Sequence, residues 1–511
     1  MTSPFTSSPL VAAVVLASSK TSDNDEELYD VVARPISSNY QAGMSRELVE
    51  KQQVSDSWIA FNSGAPPTTA AVRPPNYVRV GGKMPKNIAT PPTGDQITKE
   101  WLTEVFRFRG TLPYNGRVVE MVKKRIGEGQ GEFGDLYAIE ITQVENAHSH
   151  FPRYLIAKIC PVGKTTAEKI GLKIIYQNEA HFYNDFTVEG GGLPRPECYH
   201  VGADLKGLQP KFIFLIGNGF LDPKNSPAKL YSRVSGCDNE EHLFRVMKAL
   251  ALFHAKWWGH PGGKKPFKWA LHPLLTMKGL LLNAVPILTK GGLKALPKLF
   301  NDQKHPDGSP VAKWGADYEP ILSWLPILKR RFRYLAKELY RPPLTLCHQD
   351  THLENIFFHE RYPGGCAFID FGNIGFGHAL SDITFFLATS IDVEVRRAYE
   401  QRLVKYYHEH LVAGGVTDYP YTLCQHDYKI QLWRSFIQVL TIIPDFAKAR
   451  KNRTGMFALN RDEAGEKLLQ MYAGFNKRLA TALLDHEWIK MLEEVAYTSC
   501  CSMLCCVCKP S

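Results

Sequence analysis

With 511 residues, 44% of them hydrophobic and 22% charged, the chain has the composition of a soluble globular protein large enough for two lobes. The net charge is +10, and residues 261–340 alone hold 14 Lys or Arg against 5 Asp or Glu; with no recognition motif beside it, that segment reads as a solvated basic face and not as a nucleic-acid surface. No apolar run approaches the ~18 residues of a membrane span, and the best stretch, 279–288, is broken by Pro286.

Residues 1–96 are rich in Ser, Thr, Pro and Ala and punctuated by Pro66-Pro67, Pro74-Pro75 and Pro91-Pro92. This composition predicts a low-complexity, mostly disordered segment, with a short helix near Ser45–Trp58. Leu10–Ala17 resembles the apolar core of a signal peptide, but no positive charge precedes it. Thr98–Phe108 reads as a helix capped by Thr98. Val118–Ile126 and Leu136–Val144 alternate as strands on either side of a glycine-rich turn, and Tyr154–Cys160 is a third strand. Thr165–Phe186 is helical, Cys198–Ala203 and Phe212–Leu215 are short strands, and helix predominates from Glu240. The order predicts an α+β chain with a small β-rich N-lobe over 97–220, a larger helical C-lobe over 221–498 and a Cys-rich tail over 499–511. There is no internal repeat.

Gly129, Gly131 and Gly134 form G-x-G-x-x-G, with Gly127 just before. Such glycines let backbone N–H groups approach phosphates without a Cβ in the way. A plain hairpin turn would use the same residues. A Rossmann turn expects a helix next, whereas Leu136–Ile141 reads as a strand, so a kinase-type hairpin fits better. Lys158 lies inside the apolar strand Leu155–Ile159, where a charge is costly unless paired. ATP phosphates and a helix carboxylate, Glu179, would supply that pairing; the alternative is a strand-end Lys reaching water.

The run from His348 to Asn355 places Asp350 and Asn355 at the H-x-D-x-x-x-x-N spacing of a phosphoryl-transfer loop, and Asp370 follows the apolar stretch Cys366–Ile369. The chemistry needs one carboxylate to orient the acceptor hydroxyl, here Asp350, and an amide oxygen with a second carboxylate, here Asn355 and Asp370, to hold Mg²⁺ against ATP. A polar loop whose Asp and Asn merely cap turns would make the spacing a coincidence. His348 is expected to brace the loop and His352 to lie on the surface. After Asp370 no A-P-E segment appears; Gly375–Gly377 leads into an apolar helix near whose start Asp382 is expected to act as cap and loop brace. A peptide-docking platform is therefore not expected.

These residues resemble the aminoglycoside phosphotransferase/choline kinase superfamily, and most closely its ecdysteroid-kinase-like (CHK kinase-like) branch. The resemblance runs over about residues 97 to 480, through Ile126–Gly131, Gly134–Tyr137, Glu179 with Phe182-Tyr183, Ala251–Trp258, the catalytic loop and Lys405–Tyr407. It implies a bilobal protein-kinase-like fold and ATP- and Mg²⁺-dependent phosphorylation of a small-molecule hydroxyl, a steroid alcohol in the branch's best-known activity. By motif match Asp350 takes the catalytic role, Asn355 and Asp370 the metal, and Lys158 the phosphates. One departure stands out. The acidic stretch common after the strand leading to the hinge is replaced by Phe212–Phe220, which holds no carboxylate. The Trp-rich, basic 250–340 region suits an apolar or anionic acceptor better than a polycationic aminoglycoside. A nucleotide-binding pseudokinase or scaffold is the alternative from another class, and a protein kinase a more distant one.

Six cysteines scattered through the body read as reduced, mostly buried thiols of a cytoplasmic protein. Five more, Cys500, Cys501, Cys505, Cys506 and Cys508, crowd the tail beside apolar neighbours. That tail suits S-acylation and a membrane tether. Zinc binding and a plain flexible end are the other readings, while Lys509 and Pro510 fit prenylation poorly. If the tether is right, the full chain expressed in its own cells carries hydroxylamine-sensitive acyl label that vanishes on replacing the five cysteines with Ser; unlabelled, wholly cytosolic protein removes the idea.

Overall fold

The computed structural model describes residues 88–126, 134–160, 166–186, 192–204, 211–219, 227–233, 236–263, 267–270, 319–324, 326–328, 335, 338–452, 463–491 and 493. Gly127, Gly129, Gly131, the helix expected near Ser45–Trp58, most of the basic 261–340 segment and the Cys-rich tail lie outside them.

Helix α1 (Lys99–Arg109) starts where expected, with the Thr98 hydroxyl accepting from the Trp101 N–H at 3.2 Å. It stops at Gly110, whose φ of 73° suits a residue without Cβ. The packed chain reaches further back than expected, because the Trp101 indole donates to Ala89 O at 2.8 Å and Ile88 packs against the core. Five strands follow: β1 (Arg117–Ile126), β2 (Asp135–Glu145), β3 (Tyr154–Ile159), β4 (Cys198–Asp204) and β5 (Lys211–Gly217). They form one antiparallel sheet in the order β1-β2-β3-β5-β4, with helix α2 (Thr166–Asp185) between β3 and β4 in sequence.

Strand periodicity divides this sheet into two faces. Leu155, Ala157 and Ile159 of β3 and Ile213 and Leu215 of β5 join Leu102, Val105 and Phe106 of α1 in one core. Lys158, between Ala157 and Ile159, therefore points to the opposite face, as do Phe212 and Phe214, which join α2 in the other core. That second core continues into helix α3 (Glu240–Lys256) and the strands and helices that follow.

Beyond the sheet the described residues are mostly helical, as expected. Short strands β6 (Lys229–Leu230), β8 (Ile356–Phe358) and β9 (Cys366–Phe368) pair with one another, and β7 (Thr345–Cys347) pairs with β10 (Gly375–Gly377). Helices α4 (Leu380–Ser390), α5 (Val393–Ala413), α6 (Tyr421–Asn452) and α7 (Glu463–Asp485) complete the described fold. Every residue of α4 is buried, so it runs through the core with no face toward solvent. Arg396, buried on α5, pairs with Glu400 at 3.0 Å and with Asp485, which ties α7 to α5. The six described cysteines are free thiols and five of them are buried. This is the α+β arrangement of a small β-rich lobe and a larger helical one.

His200 on β4 is 4% exposed, and neither ring nitrogen has a hydrogen-bond partner. Burial, helped by the charge of Arg109, lowers its pKa to about 4. The folded chain thus selects neutral imidazole: its contribution is complete above the ordinary pKa near 6.5 and falls as pH drops toward 4. Between pH 7 and 4.5 the wild type should lose ~2–3 kcal/mol more stability than His200→Leu. Urea unfolding at the two pH values tests this; equal losses in the two proteins would show that His200 ionises freely in the fold.

Candidate active site

Because Lys158 faces away from α1, it meets α2. Its ammonium lies 2.8 Å from Glu179 Oε2 and 3.1 Å from Asp370 Oδ1, bringing together residues from β3, α2 and the turn after β9. Burial alone would depress the ammonium's pKa, but the Asp370 and Glu179 carboxylates outweigh it and hold Lys158 above the ordinary lysine value. Burial pushes Glu179 up to about 7 against the pull of Lys158. Asp370 is held below the usual carboxylate range, its burial being outweighed by Lys158. Gly134 packs directly on this strand: a Cβ there would lie 3.2 Å from Lys158 Cγ and from Tyr176 Oη, so a side chain would press on both.

The candidate loop His348–Asn355 leaves β7 with His348 and Gln349, whose backbone N–H groups donate to the two oxygens of Asp382, each at 2.7 Å. Asp382 is fully buried and also accepts from His254 Nε2 at 3.2 Å, while His254 Nδ1 lies 2.9 Å from the Tyr407 hydroxyl. Burial opposes its ionisation, but these hydrogen bonds and the nearby histidines keep its pKa below the carboxylate range. The expected brace is therefore present and the expected cap is not: α4 follows Ala379, and no side chain caps it. The brace holds Gln349 in the left-handed region, at φ 64°; Asp370 has a similar φ of 63°. Such backbone costs about 1–2 kcal/mol per residue.

His348 braces the loop as expected. Its Nε2 lies 3.0 Å from Ile369 O and its Nδ1 accepts from the Asp350 N–H at 3.3 Å, a set of partners that fits the neutral Nε2–H tautomer. Burial lowers its pKa and favours that form. His352 departs from expectation. It is buried, 8% exposed, with Nε2 3.8 Å from Asp350 Oδ1, and burial together with the charge of Arg233 drives its pKa well down. The reason is local: the Asn355 N–H donates back to His352 O at 2.9 Å, curling the loop so that its ring turns inward.

Asp350 keeps a side chain 16% exposed, enough to meet a small acceptor. Asn355 spends its amide N–H₂ on Asp350 O at 3.0 Å, so its amide oxygen is the atom it can offer a cation. The Ile369 N–H donates to Asn355 O at 3.0 Å, setting the cation candidates Asn355 and Asp370 on neighbouring backbone. The structure also assembles partners that no spacing rule named. Asn373 donates to Asp350 Oδ2 at 3.3 Å, and Glu354 pairs with Arg233 at 2.8 Å. His254 sat within a run carried by resemblance, without a role. Its sequence signal was only a polar residue in an apolar helix.

Asp382→Ala would leave two backbone N–H groups and the His254 Nε2 unpaired in the core. The expected cost is about 3–5 kcal/mol, read as a fall in the urea midpoint. Tyr407→Phe removes a single hydroxyl contact and should cost only about 1 kcal/mol. An unchanged midpoint in Asp382→Ala would mean that the loop is held by something else.

Residues 310–415 match the Ecdysteroid kinase-like family. A curated relative, an uncharacterized kinase-like protein of Caenorhabditis elegans, is 28% identical over 274 residues, which are 53% of this chain and 65% of that protein. The chain thus spans less than two thirds of that relative's length. Among solved structures, choline kinase from Cryptosporidium parvum is similar with a TM-score of 0.42 and 12% identity, over 75% of this chain and 96% of the other. Plasmodium vivax ethanolamine kinase gives a TM-score of 0.38 and 11% identity, over 75% and 91%. The segment 310–415 that resembles the Ecdysteroid kinase-like family is also the one that carries Asp350, Asn355, Asp370 and Asp382.

Proposed function

We propose that this protein is an ATP- and Mg²⁺-dependent phosphotransferase that phosphorylates a hydroxyl group of a small molecule, of the steroid or other apolar alcohol class. The observation that carries the reading is the Lys158 ammonium held between Glu179 and Asp370, at 2.8 and 3.1 Å. Lys158 keeps Asp370 ionised, and Asp370 leaves 39% of its side chain exposed to meet a further cation. Asp370 and the Asn355 amide oxygen are hard oxygen donors, which suit Mg²⁺ and not a softer metal. The donor set fits the ion.

Bound Mg²⁺ would neutralise phosphate charge during transfer. The chain's own residues do the rest. Lys158 offers its ammonium to the nucleotide phosphates, and Glu179 keeps it directed there. Asp350 accepts the proton of the acceptor hydroxyl as that oxygen bonds to phosphorus and the bond from phosphorus to the leaving ADP oxygen breaks. Positioning accounts for most of such a rate enhancement, and the Asp382 brace serves it by fixing the backbone on which Asp350 sits. The scattered, unpaired cysteines of the body support a cytoplasmic location, and the cysteine cluster of the tail supports a membrane tether there.

The test is a panel of sterols, amino-alcohols and sugars incubated with MgATP, with phosphorylated products detected by mass spectrometry. Asp350→Asn should lower kcat by about 10²–10⁴-fold on any acceptor found, and Asp370→Ala should abolish transfer with the fold intact. Full turnover by Asp370→Ala would make the metal assignment wrong. Nucleotide binding with no transfer to any hydroxyl compound would favour the scaffold reading instead.

A further inference from the structure

A catalytic carboxylate must present one oxygen to the acceptor in one orientation. The Asp350 backbone is held on both sides: its N–H donates to His348 Nδ1 at 3.3 Å, and its carbonyl accepts from Asn355 Nδ2 and from the His352 N–H, both at 3.0 Å. Its side chain receives the Asn373 amide on Oδ2 at 3.3 Å. The other oxygen, Oδ1, lies 3.8 Å from His352 Nε2, beyond hydrogen-bond reach.

Asn373 is itself constrained. It ends the single turn Phe371–Asn373, directly after Asp370, and is 9% exposed. That turn is gripped by α2. Phe371 stacks on Phe182 with ring centroids 4.1 Å apart, and Asn178 Nδ2 donates to Gly372 O at 3.3 Å. A Cβ on Gly372 would lie 2.3 Å from Ile175 Cγ2, so only glycine lets the turn come this close. The helix that carries Glu179 therefore sets the turn that carries Asn373.

We propose that Asn373 is a positioning residue for Asp350: its amide N–H fixes the carboxylate's rotamer, coupling the orientation of the base to the seating of the turn on α2. This rests on the phosphotransferase reading. A plain turn-forming Asn would make the same backbone, but its loss would not lower kcat at an unchanged KM for MgATP.

The experiment follows MgATP hydrolysis, with water as the acceptor, and MgADP binding on the full chain. Asn373→Leu should lower kcat for hydrolysis roughly tenfold to hundredfold, keep the KM for MgATP and bind MgADP as the wild type does. Asn373→Ala, which packs differently but loses the same donor, should share that split. If either folded variant keeps the wild-type kcat, or loses MgADP binding along with it, the proposal is overturned. A wild type that neither binds MgADP nor hydrolyses MgATP overturns the phosphotransferase reading, and this inference with it.

Discussion

The Lys158 ammonium is the contact on which the site depends. It joins β3, α2 and the turn after β9, residues separated in the chain by 21 and 212 positions. In a poorly solvated setting such a contact is strong, and leaving any of its members unpaired is costly. The sheet, α2 and the turn after β9 must therefore reach their places together. The stacking of Phe182 on Phe371 and the close approach of Ile175 to Gly372 make that docking a packed one as well as an ionic one. Electrostatics selects the partners, and packing sets the distance.

Asp382 is the counterpart in the helical lobe. Lys158 leaves one of its carboxylates partly open to solvent, whereas Asp382 is closed off and its oxygens are taken up by the His348 and Gln349 backbone and by His254. The two carboxylates differ in role because they differ in exposure and in donors. One is available for chemistry. The other buys a fixed backbone, including the left-handed residue Gln349 from which Asp350 follows.

Much of the fold was legible from pattern. The strands of the sheet and the helices α1 and α2 begin and end within a residue or two of where alternation, Thr98 and the helical run placed them, because each is long enough to show its period. Strands β6, β7, β8 and β10 were not foreseen. At two or three residues, they are defined by pairing with distant segments and carry no period of their own. His352 was misjudged for a related reason: a polar residue in a polar loop has no sequence mark of burial, and only the curl of the loop turned it inward.

The sequence by itself determined the chemistry on offer. The spacing of Asp350, Asn355 and Asp370, and a Lys and a Glu within apolar elements, follow from short-range order and from the cost of burying unpaired charge. Tertiary structure alone decided how these groups are held. That Asp382 braces the loop and does not cap a helix, that His254 backs it, and that Asn373 reaches Asp350 are all contacts between segments far apart in the chain or facing across a turn. Residue identity sets what a side chain can donate or accept. Which partner it meets depends on how the elements pack.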